Sequence, residues 1–273
     1  MIDYYARVSE AIVPHLKGRP LTLRRFPNGV SGGSFFEKRC PEHRPDWVKT
    51  ATVLADEAGE IAFCLCQDKA TLAWMAQLAA LELHPSLAKA KDVDRPTVVA
   101  FDLDPGPPAN VIDCCKVALE LRKLFEGLGL QSFAKTSGSK GLQVYVPLNT
   151  KVGYPDTRSF AHAIALLLEK RHPKKVVSKM TKSLRRGKVF VDWSQNHRHK
   201  TTVAVYSLRA KDRPTVSTPL TWDEIEAGSR KRSPDALAFQ AKQVLKRLDE
   251  HGDLFEPALK LRQQLPQTEA IPG

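Results

Sequence analysis

Two aspartates separated by one residue offer the clearest chemistry in the sequence. Asp102 and Asp104 close a short apolar stretch, residues 97–105, whose valines and Phe101 predict a β-strand that the following Pro-Gly pair ends. Side chains two residues apart on a strand project from the same face, so the two carboxylates are predicted to lie together. Neighbouring carboxylates repel, a bound cation relieves that repulsion, and oxygen ligands suit Mg²⁺ or Mn²⁺. Two solvated acids at an exposed strand end are the alternative that this motif alone leaves open.

A third carboxylate follows a long basic stretch. Residues 170–191 contain many lysines and arginines and no acid, and a run of one sign repels itself unless a polyanion neutralises it. The lysines of this stretch that we assign to nucleic acid are Lys179, Lys182 and Lys188. Asp192 ends the apolar strand that comes next, which makes it a candidate third metal ligand. A salt bridge from Asp192 to Arg185 or Arg186 is the alternative.

A loop of small residues is a candidate phosphate site. Residues 133–147 are predicted to form a strand, a Gly/Ser loop and a second strand. Small residues let backbone N–H groups approach a phosphate, the Ser137 and Ser139 hydroxyls donate hydrogen bonds, and Lys140 supplies charge. A strand rather than a helix follows, so this is not the Walker pattern. A hairpin turn with a surface lysine is the alternative.

Adjacent aromatic residues near the N-terminus suggest a stacking platform. Phe35 and Phe36 stand beside glycines and the bases Arg25 and Lys38, a composition that fits base stacking and phosphate contact. Neighbours on a strand face opposite ways, so we expect Phe36 to be exposed and Phe35 to face the core. His84 closes a predicted helix, residues 69–83, as either a phosphate contact or a surface cap.

Composition indicates the partner. The formal net charge of the 273-residue chain is +12, which favours a polyanion such as nucleic acid.

No segment resembles a signal peptide or a membrane span. Five cysteines, an odd number, argue against a secreted disulfide framework, so we expect buried thiols in a reducing cytoplasm.

The order of the predicted elements indicates an α+β fold, with a central mostly antiparallel sheet flanked by helices, in a single domain covering residues 1–273. Residues 200–209 are predicted to form a strand with Arg209 at its end. The C-terminal part, residues 234–265, is predicted to be helical, with helices over about 234–250 and 254–265, and residues 266–273 to be a loose tail.

Several motifs together resemble one family. They are FDLDPG, KTSGSKGLQVYVPL, TKSLRRGKVFVDWSQN, KTTVAVYSLRA and RRFPNGVSGGSFFEKR. In this order they resemble the polymerase domain of bacterial DNA ligase D, in the archaeo-eukaryotic primase superfamily, over nearly the whole chain. The resemblance implies a primase-like catalytic core and template-dependent nucleotidyl transfer in gap filling and double-strand break end joining. It also implies a preference for ribonucleotides and activity supported by Mn²⁺.

The resemblance also implies roles for single residues. Asp102 and Asp104 match carboxylates that bridge two Mn²⁺ or Mg²⁺ ions, and Asp192 matches a ligand of the ion beside the primer 3′-hydroxyl. One ion lowers the pKa of that hydroxyl and the other neutralises the phosphates. Phe36, with Phe35 beside it, matches the aromatic residue that stacks on the template. The residues that match nucleotide contacts are His84, Ser137, Ser139, Lys140, Arg185, Gln195 and Arg209.

The partners implied are primed, gapped or broken-end DNA, an NTP or dNTP, and end-joining proteins such as Ku and a DNA ligase, at the nucleoid and not at a membrane. Family members carry lysines for a downstream 5′-phosphate ahead of the stretch that matches the start of this sequence. We therefore expect this chain to show little recognition of that phosphate.

Two other classes remain as alternatives. One is a nucleic-acid-binding module without turnover, which the three carboxylates disfavour because each weakens polyanion binding unless metals neutralise it. The other is a D-x-D phosphatase, which normally has Thr or Val two positions after the second aspartate, where this sequence has Gly106.

Overall fold

The computed structural model describes residues 1–55, 59–231 and 233–266. Residues 56–58, which belong to the acidic sequence at 56–60, together with Arg232 and the predicted tail from residue 267 onward, lie outside the described residues. The chain divides into two compact units, each built from separate stretches of sequence. Unit 1 comprises Met1–Arg95, Arg198–Ser217 and Phe239–Asp253; unit 2 comprises Pro96–His197, Thr218–Ala238 and the chain from Leu254 onward. The single folding domain expected from the sequence stays a prediction.

Helices and strands are mixed along the chain, which confirms the α+β class. The α-helices are α1 (Ile2–Leu16), α2 (Lys69–Gln77), α3 (Val111–Gly127), α4 (Tyr154–Arg171), α5 (Trp222–Ser229), α6 (Ala241–His251) and α7 (Pro257–Lys260). The strands are β1 (Leu21–Arg25), β2 (Phe35–Glu37), β3 (Thr50–Ala55), β4 (Gly59–Cys64), β5 (Ala80–Pro85), β6 (Ala88–Lys89), β7 (Asp92–Pro96), β8 (Val98–Pro105), β9 (Phe133–Thr136), β10 (Leu142–Pro147), β11 (Val176–Val177), β12 (Val189–Asp192), β13 (Leu208–Arg209), β14 (Thr215–Val216) and β15 (Pro219–Leu220). Short 3-10 helices span Lys182–Arg185, Trp193–Gln195 and Pro234–Leu237. No helix in the described part of the chain is long and apolar enough to cross a membrane.

The main sheet of unit 1 is antiparallel and centres on β1. Strand β1 pairs with β2, β4 and β5, and β3 extends the sheet through β4. The side chains of β1 alternate: Leu21 and Leu23 are buried in the core, and Thr22 and Arg24 point to the opposite face. That opposite face carries the polar residues of unit 1 described below.

The described strands of unit 2 form a six-stranded sheet in the order β11-β12-β8-β10-β9-β15, and each pairing except that of β11 with β12 is antiparallel. Phe101 of β8 packs on Phe125 of α3 with ring centroids 5.3 Å apart, and Phe125 stacks on Phe160 of α4. Asn110 caps the start of α3, where its side chain accepts a hydrogen bond from the Ile112 N–H. A mostly antiparallel sheet flanked by helices is therefore confirmed.

The helix predicted over residues 69–83 is too long. Helix α2 ends at Gln77, Ala79 adopts a left-handed conformation with φ +60°, and the chain continues as strand β5. Leu81, Glu82, Leu83 and His84 alternate between apolar and polar as in a strand, but this alternation covers only four residues and follows an apolar helix directly, so it resembles a further helical turn. His84 therefore lies on a strand, opposite Thr22 of β1, and not at a helix end.

The strand predicted over residues 200–209 shortens to Leu208–Arg209. Before it, Tyr206 has φ +64°, and the Ala204 N–H donates to the Leu83 carbonyl, so the segment follows β5 irregularly. Arg209 still ends the segment, as predicted.

The C-terminal helices are also shorter than predicted. Instead of one helix over 234–250, the chain forms a 3-10 turn and then α6, because the Phe239 carbonyl accepts a hydrogen bond from Val216 and Gln240 bridges to Thr215. The helix predicted over 254–265 reduces to α7, after which Gln263 binds the backbone of Pro147 and Leu148.

One pair of cysteines is bonded, contrary to the expectation of free thiols. Cys40 and Cys64 form a disulfide with Cα atoms 4.8 Å apart, because the Cys40 N–H donates to the Ala62 carbonyl and brings the two segments side by side. The other three cysteines, Cys66, Cys114 and Cys115, are buried thiols as expected.

Asn196 takes the place of a strand neighbour of β8 where β12 ends. The β8–β12 pairing stops at Asp102 and Asp192, and the chain turns into the 3-10 helix Trp193–Gln195. The fully buried Asn196 amide then donates to the Ala100 carbonyl (2.7 Å) and accepts from the Ala100 N–H (2.9 Å). This side chain anchors the segment that follows Asp192 to the strand that carries Asp102.

We predict that Asn196→Ala lowers the free energy of unfolding by roughly 2–4 kcal/mol, because it leaves a buried donor and a buried acceptor of Ala100 without partners. Urea titration measures the change. The exposed Asn28 offers a control, and Asn28→Ala should change stability by less than about 0.5 kcal/mol. A similarly small effect of Asn196→Ala would contradict the anchoring role.

Candidate active site

Three carboxylates share one face of the unit 2 sheet. On β8, Phe101 and Leu103 are fully buried, while Asp102 is half-buried and Asp104 is exposed, in the alternation that the sequence predicts. Asp192, at the end of β12, is the register partner of Asp102 in the antiparallel pair. Register partners lie on the same face of a sheet, so the structure brings the three predicted metal ligands to one place.

Each of the two outer carboxylates has partners of its own. Asp192 accepts hydrogen bonds from the Ser194 hydroxyl (2.6 Å) and N–H (2.9 Å) through Oδ1 and from Gln195 Nε2 (2.7 Å) through Oδ2. Asp104 pairs with Arg185, whose Nη1 lies 3.5 Å from Oδ2. The arginine pairing considered for Asp192 is therefore made by Asp104.

Gly106 allows the basic segment to approach β8 closely. A Cβ atom at this position would lie 2.0 Å from the Arg185 carbonyl oxygen, so no side chain fits. The Gly106 N–H donates to the Lys188 carbonyl at 2.8 Å, and the Arg185 guanidinium lies 3.8 Å from the centre of the Phe190 ring. The Pro-Gly pair that ends β8 thus also sets the position of Arg185 beside Asp104.

A buried lysine continues the row of polar residues across the sheet. Asp102 faces Gln143 of β10 in register, and Gln143 faces Lys135 of β9. Lys135 is 1 % exposed and donates to Gln143 Oε1 at 2.6 Å, and the Tyr145 hydroxyl donates to the same oxygen at 3.0 Å. Because Oε1 accepts both bonds, the amide nitrogen of Gln143 points the other way and donates to Asp102 Oδ1 at 3.2 Å.

The carboxylate cluster carries repulsion that its neighbours offset only in part. Burial raises the pKa of Asp102 to about 6, and the charges of Asp192 and Asp104 act in the same direction. The hydrogen bond from Gln143 and the charge of Lys135 lower it without cancelling the rise. At neutral pH a divalent cation would relieve this repulsion.

The three carboxylates fit a divalent cation in donor chemistry, because hard oxygen ligands suit Mg²⁺ and Mn²⁺. Within the described residues, no group of three or more acidic, histidine or cysteine side chains is already drawn together as a ligand set. Asp104 instead faces Arg185, and Asp192 faces Ser194 and Gln195. Coordination by all three carboxylates requires Asp104 to release Arg185, whereas Asp192 Oδ2 accepts one hydrogen bond and keeps a lone pair for a cation.

The predicted Gly/Ser loop joins β9 to β10. The Ser137 hydroxyl accepts from the N–H groups of Ser139 and Gly141, each at 3.2 Å, and so closes the loop from within. Gly138 has φ +65°, a conformation that favours glycine. Ser139 and Lys140 are exposed at the tip. The loop therefore presents one hydroxyl and one cation to solvent.

His84 and Arg209 lie in unit 1, around a buried carboxylate that the sequence did not single out. Glu82 is 1 % exposed, and its Oε2 lies 3.0 Å from His84 Nε2 and 3.5 Å from Arg209 Nη1. Its Oε1 lies 3.4 Å from Arg24 Nη1 and accepts from the Ala210 N–H at 3.0 Å. Glu82 thus holds three basic side chains in one group.

Electrostatics keep Glu82 ionised. Burial opposes its charge, but the His84 hydrogen bond, the Arg209 charge and the Ala210 N–H outweigh burial and hold the pKa of Glu82 at about 2. Burial lowers the pKa of His84, an effect that Glu82 opposes. Near neutral pH the imidazole is therefore uncharged and donates its Nε2 proton to the carboxylate.

The aromatic pair is more exposed than predicted. Phe36 is exposed as expected, but Phe35 is 47 % exposed and does not face the core. Both lie on β2, a three-residue strand at the edge of the sheet, where neither face is covered. The Arg25 guanidinium lies 5.4 Å from the Phe35 ring and that of Arg24 5.4 Å from the Phe36 ring, and the exposed Lys38 follows.

The basic segment between α4 and β12 presents two of its predicted lysines to solvent. Lys179 and Lys182 are exposed, whereas Lys188 is half-buried and donates to the Pro173 carbonyl at 2.7 Å. Met180 and Leu184 are also about half exposed on this segment. The surface therefore combines positive charge with apolar contact area.

Comparisons with known proteins agree with this fold. Residues 1–255 match the family model of the LigD primase-polymerase domain. The chain is 42 % identical over 259 residues to the multifunctional non-homologous end joining protein LigD of Mycolicibacterium smegmatis, covering 94 % of this chain and 33 % of that protein. It is 31 % identical over 255 residues to the bifunctional non-homologous end joining protein LigD of Bacillus subtilis, covering 93 % of this chain and 40 % of that protein. The structure matches the polymerase domain of Mycobacterium tuberculosis ligase D in complex with DNA, with a TM-score of 0.87, 39 % identity and coverage of 96 % of this chain and 92 % of that one.

The family model and the structural match define the class of the protein, the primase-polymerase class of nucleotidyltransferases. The chain belongs to the family of LigD primase-polymerase domains, as the sequence motifs predict. It spans about a third of the length of the mycobacterial relatives it matches.

Three polar residues of these clusters did not emerge from the sequence. Glu82 falls within the stretch predicted as helix, although a strand there would have placed it on the same face as His84. Gln143 and Lys135 each interrupt a strand that is otherwise apolar or buried. A polar residue within a buried strand is the signal that would have found both, because such a residue needs a partner.

Asp102→Asn should stabilise the metal-free protein near neutral pH. Because the folded pKa is raised from 3.8 to about 6, ionising Asp102 costs more in the folded chain than in the unfolded one. Below the pKa of the unfolded chain this cost is absent, because Asp102 is protonated in both states. The cost grows as the pH rises from the unfolded pKa to the folded pKa, and it is complete above the folded pKa. The asparagine oxygen still accepts from Gln143. We expect the melting temperature in EDTA to rise by several degrees above about pH 7 and to change little near pH 4.

Differential scanning calorimetry of both proteins across this pH range measures the effect. Asp223→Asn, at an exposed carboxylate of the same unit, is the control and should change little at either pH. An unchanged or lower melting temperature of the Asp102 variant at neutral pH would contradict the repulsion described here.

Glu82→Gln should destabilise the protein by roughly 3–5 kcal/mol, because it leaves the buried basic group without its counter-charge. The folded pKa of Glu82 is depressed, so its stabilisation is fully present above the unfolded value and is lost as pH falls toward 2. The penalty should therefore be equal at about pH 6 and pH 8 and should shrink below about pH 4.

Urea unfolding at these pH values measures the penalty. Glu10→Gln, at an exposed acid of the same unit, should be near neutral. A penalty that grew on acidification would be inconsistent with the ionised Glu82 described here.

Proposed function

We propose that this chain adds nucleotides to primer 3′ ends under the direction of a template strand, in gap filling and in the end joining of double-strand breaks. The observation that carries the proposal is the gathering of Asp102, Asp104 and Asp192 on one sheet face in a LigD primase-polymerase fold. Its two-metal character is supported by the oxygen donors and by the raised pKa of Asp102.

The chain's own residues prepare the reacting centre. Bound Mg²⁺ or Mn²⁺ ions would supply Lewis acidity toward the primer hydroxyl and neutralise the phosphates. Gln143 orients Asp102, and Ser194 and Gln195 orient Asp192, so each carboxylate has a defined position before the substrate arrives. Arg185 neutralises Asp104 and, as a guanidinium, suits a phosphate once Asp104 binds a cation.

The nucleotide and the DNA are assigned to separate sets of residues. We assign the nucleotide to His84, Ser137, Ser139, Lys140, Arg185, Gln195 and Arg209. We assign the DNA to Arg25, Phe35, Phe36, Lys38, Lys179, Lys182 and Lys188. The exposure of Lys140 at the loop tip and the group of bases around Glu82 support the first assignment, and the two exposed aromatic rings support the second.

The finer parts of the proposal rest on the family. The relatives are named for non-homologous end joining, which supports broken-end DNA as substrate and proteins such as Ku and a DNA ligase as partners. Ribonucleotide preference, activity with Mn²⁺, a single folding domain and a place at the nucleoid are likewise proposed. The net charge of +12 supports the nucleic-acid partner.

Primer extension on a templated, fluorescent duplex tests the proposal. Asp104→Asn and Asp192→Asn should each lower the rate on the order of 10³-fold or more, because they remove ligands that act in the transition state. DNA affinity, measured by anisotropy, should change less than about twofold, since removing a charge does not remove a DNA contact. Each reaction is run with Mg²⁺ or Mn²⁺ and with ribo- or deoxyribonucleotides.

The exposed Asp223 again offers the control, and Asp223→Asn should extend primers normally. Near wild-type extension by either site variant would refute the metal assignment. Tight DNA binding without extension by the wild-type chain would instead indicate a binding module.

A further inference from the structure

Of the described residues that line a cavity in unit 1, the function proposed above assigns only Lys38. This cavity is a partly open pocket with about 490 Å³ of space, some of it open to solvent, and it lies between β1, the hairpin of β3 and β4, Val93 of β7, Ser86 just after β5, and the segment at residues 198–201. Phe63 is among its apolar lining residues, and Thr22 and Ser86 are among its polar ones. Lys38, Arg198 and Lys200 supply positive charge, and none of the residues that line it in the described part of the chain is acidic.

Two polar atoms at this cavity are buried without a partner among the described residues. Thr22 is 3 % exposed, and its hydroxyl forms no hydrogen bond. Arg198 is held in place because Nη1 lies 3.1 Å from Asp94 and Nη2 donates to the Leu54 carbonyl, yet its Nε is buried and unpartnered. Buried polar groups normally have partners, so these two atoms point to a ligand with polar edges.

The charges also point to an anionic ligand. Asp94 already neutralises Arg198, whereas Lys38 and Lys200 are exposed and have no acidic partner within the described residues. A flat apolar wall, unpartnered hydrogen-bonding atoms and two uncompensated lysines together match a nucleotide, which has a base, polar edges and a phosphate.

The cavity lies on the sheet face that carries Phe36. Thr22 and Arg24 alternate with the core residues of β1, and the Arg24 guanidinium lies over the Phe36 ring. Thr22 is the register partner of His84, whose ring meets that of Phe36 edge to face at 5.6 Å. A strand stacked on Phe36 therefore has the cavity next to it.

We propose that this cavity takes an unpaired nucleotide of the template strand, the one next to the nucleotide that stacks on Phe36. The base packs against Phe63, the phosphate lies between Lys38 and Lys200, and Thr22 and Arg198 form hydrogen bonds to the polar edges of the nucleotide. This inference rests on the proposed function, which assigns Phe36 to the template.

Fluorescence anisotropy on primed duplexes with template overhangs of one, two and three nucleotides tests the inference. In the wild-type protein, the second overhanging nucleotide should tighten binding about tenfold, in line with stacking of one base, and the third should add less than about twofold. An abasic second position should lose most of the gain. Thr22→Val, which keeps the buried shape, and Lys200→Ala should each reduce the gain to about threefold or less.

Lys242→Ala, at an exposed lysine of the same unit outside the cavity, is the matched control and should keep the full gain. Circular dichroism verifies that each variant is folded, and Lys200→Ala, at an exposed position, keeps the test available if a buried variant does not fold. The inference is overturned if the wild-type affinity does not depend on the second nucleotide, or if both cavity variants keep the full gain. Primer extension by the wild-type chain on the one-nucleotide overhang distinguishes the two failures. If the chain extends this primer, the proposed function holds and only the inference about the cavity is wrong. If it does not extend the primer, the proposed function itself fails.

Discussion

The unit 2 site depends on one constraint, which is that strand pairing holds negatively charged carboxylates next to each other. Asp192 and Asp102 are register partners, and a sheet cannot separate them without giving up backbone hydrogen bonds. The fold therefore compensates locally, with Arg185 beside Asp104, hydroxyl and amide donors on Asp192, and Gln143 on Asp102. The compensation is incomplete at Asp102, whose pKa is raised first by burial and then by the neighbouring carboxylates, and a bound cation would favour the charged form against both effects.

Lys135 also compensates the charge of Asp102, from two strands away on the same face of the sheet. Its charge does not touch Asp102 but acts through Gln143, whose amide orientation it determines together with Tyr145. A direct Lys–Asp pair would neutralise the carboxylate and compete with a metal ion. An amide placed between them orients the carboxylate while leaving most of its charge in place. Unit 1 has the reverse arrangement, in which the single acid Glu82 fixes several bases and leaves net positive charge beside Phe36.

Patterns among residues close in sequence were sufficient to predict strand β8 and the N-termini of several helices. Alternation placed Asp102 and Asp104 correctly because at the end of β8 one face stays buried while the other becomes exposed. The Asn110 cap and the capping box of Thr221 and Glu224 follow from side chains a few residues apart. The change from α2 to β5 was missed, because the alternation of Leu81 and Leu83 with Glu82 and His84 is only four residues long and follows an apolar helix without a Gly or Pro between them. The Glu82 group, the Lys135–Gln143 contact and the pairing of Cys40 with Cys64 depend on partners distant in sequence, which no local pattern contains.

The Cys40–Cys64 disulfide has a practical consequence for work with this protein. It joins the segment just after Lys38 to the end of the strand that carries Phe63, across 24 residues of chain. A preparation kept in a thiol reductant and one exposed to air are therefore different covalent species. In the chain-entropy description, their unfolded states differ by about 3 kcal/mol for a loop of this size. Melting temperatures and DNA affinities from two laboratories would then be comparable only when each preparation's thiol content had been titrated.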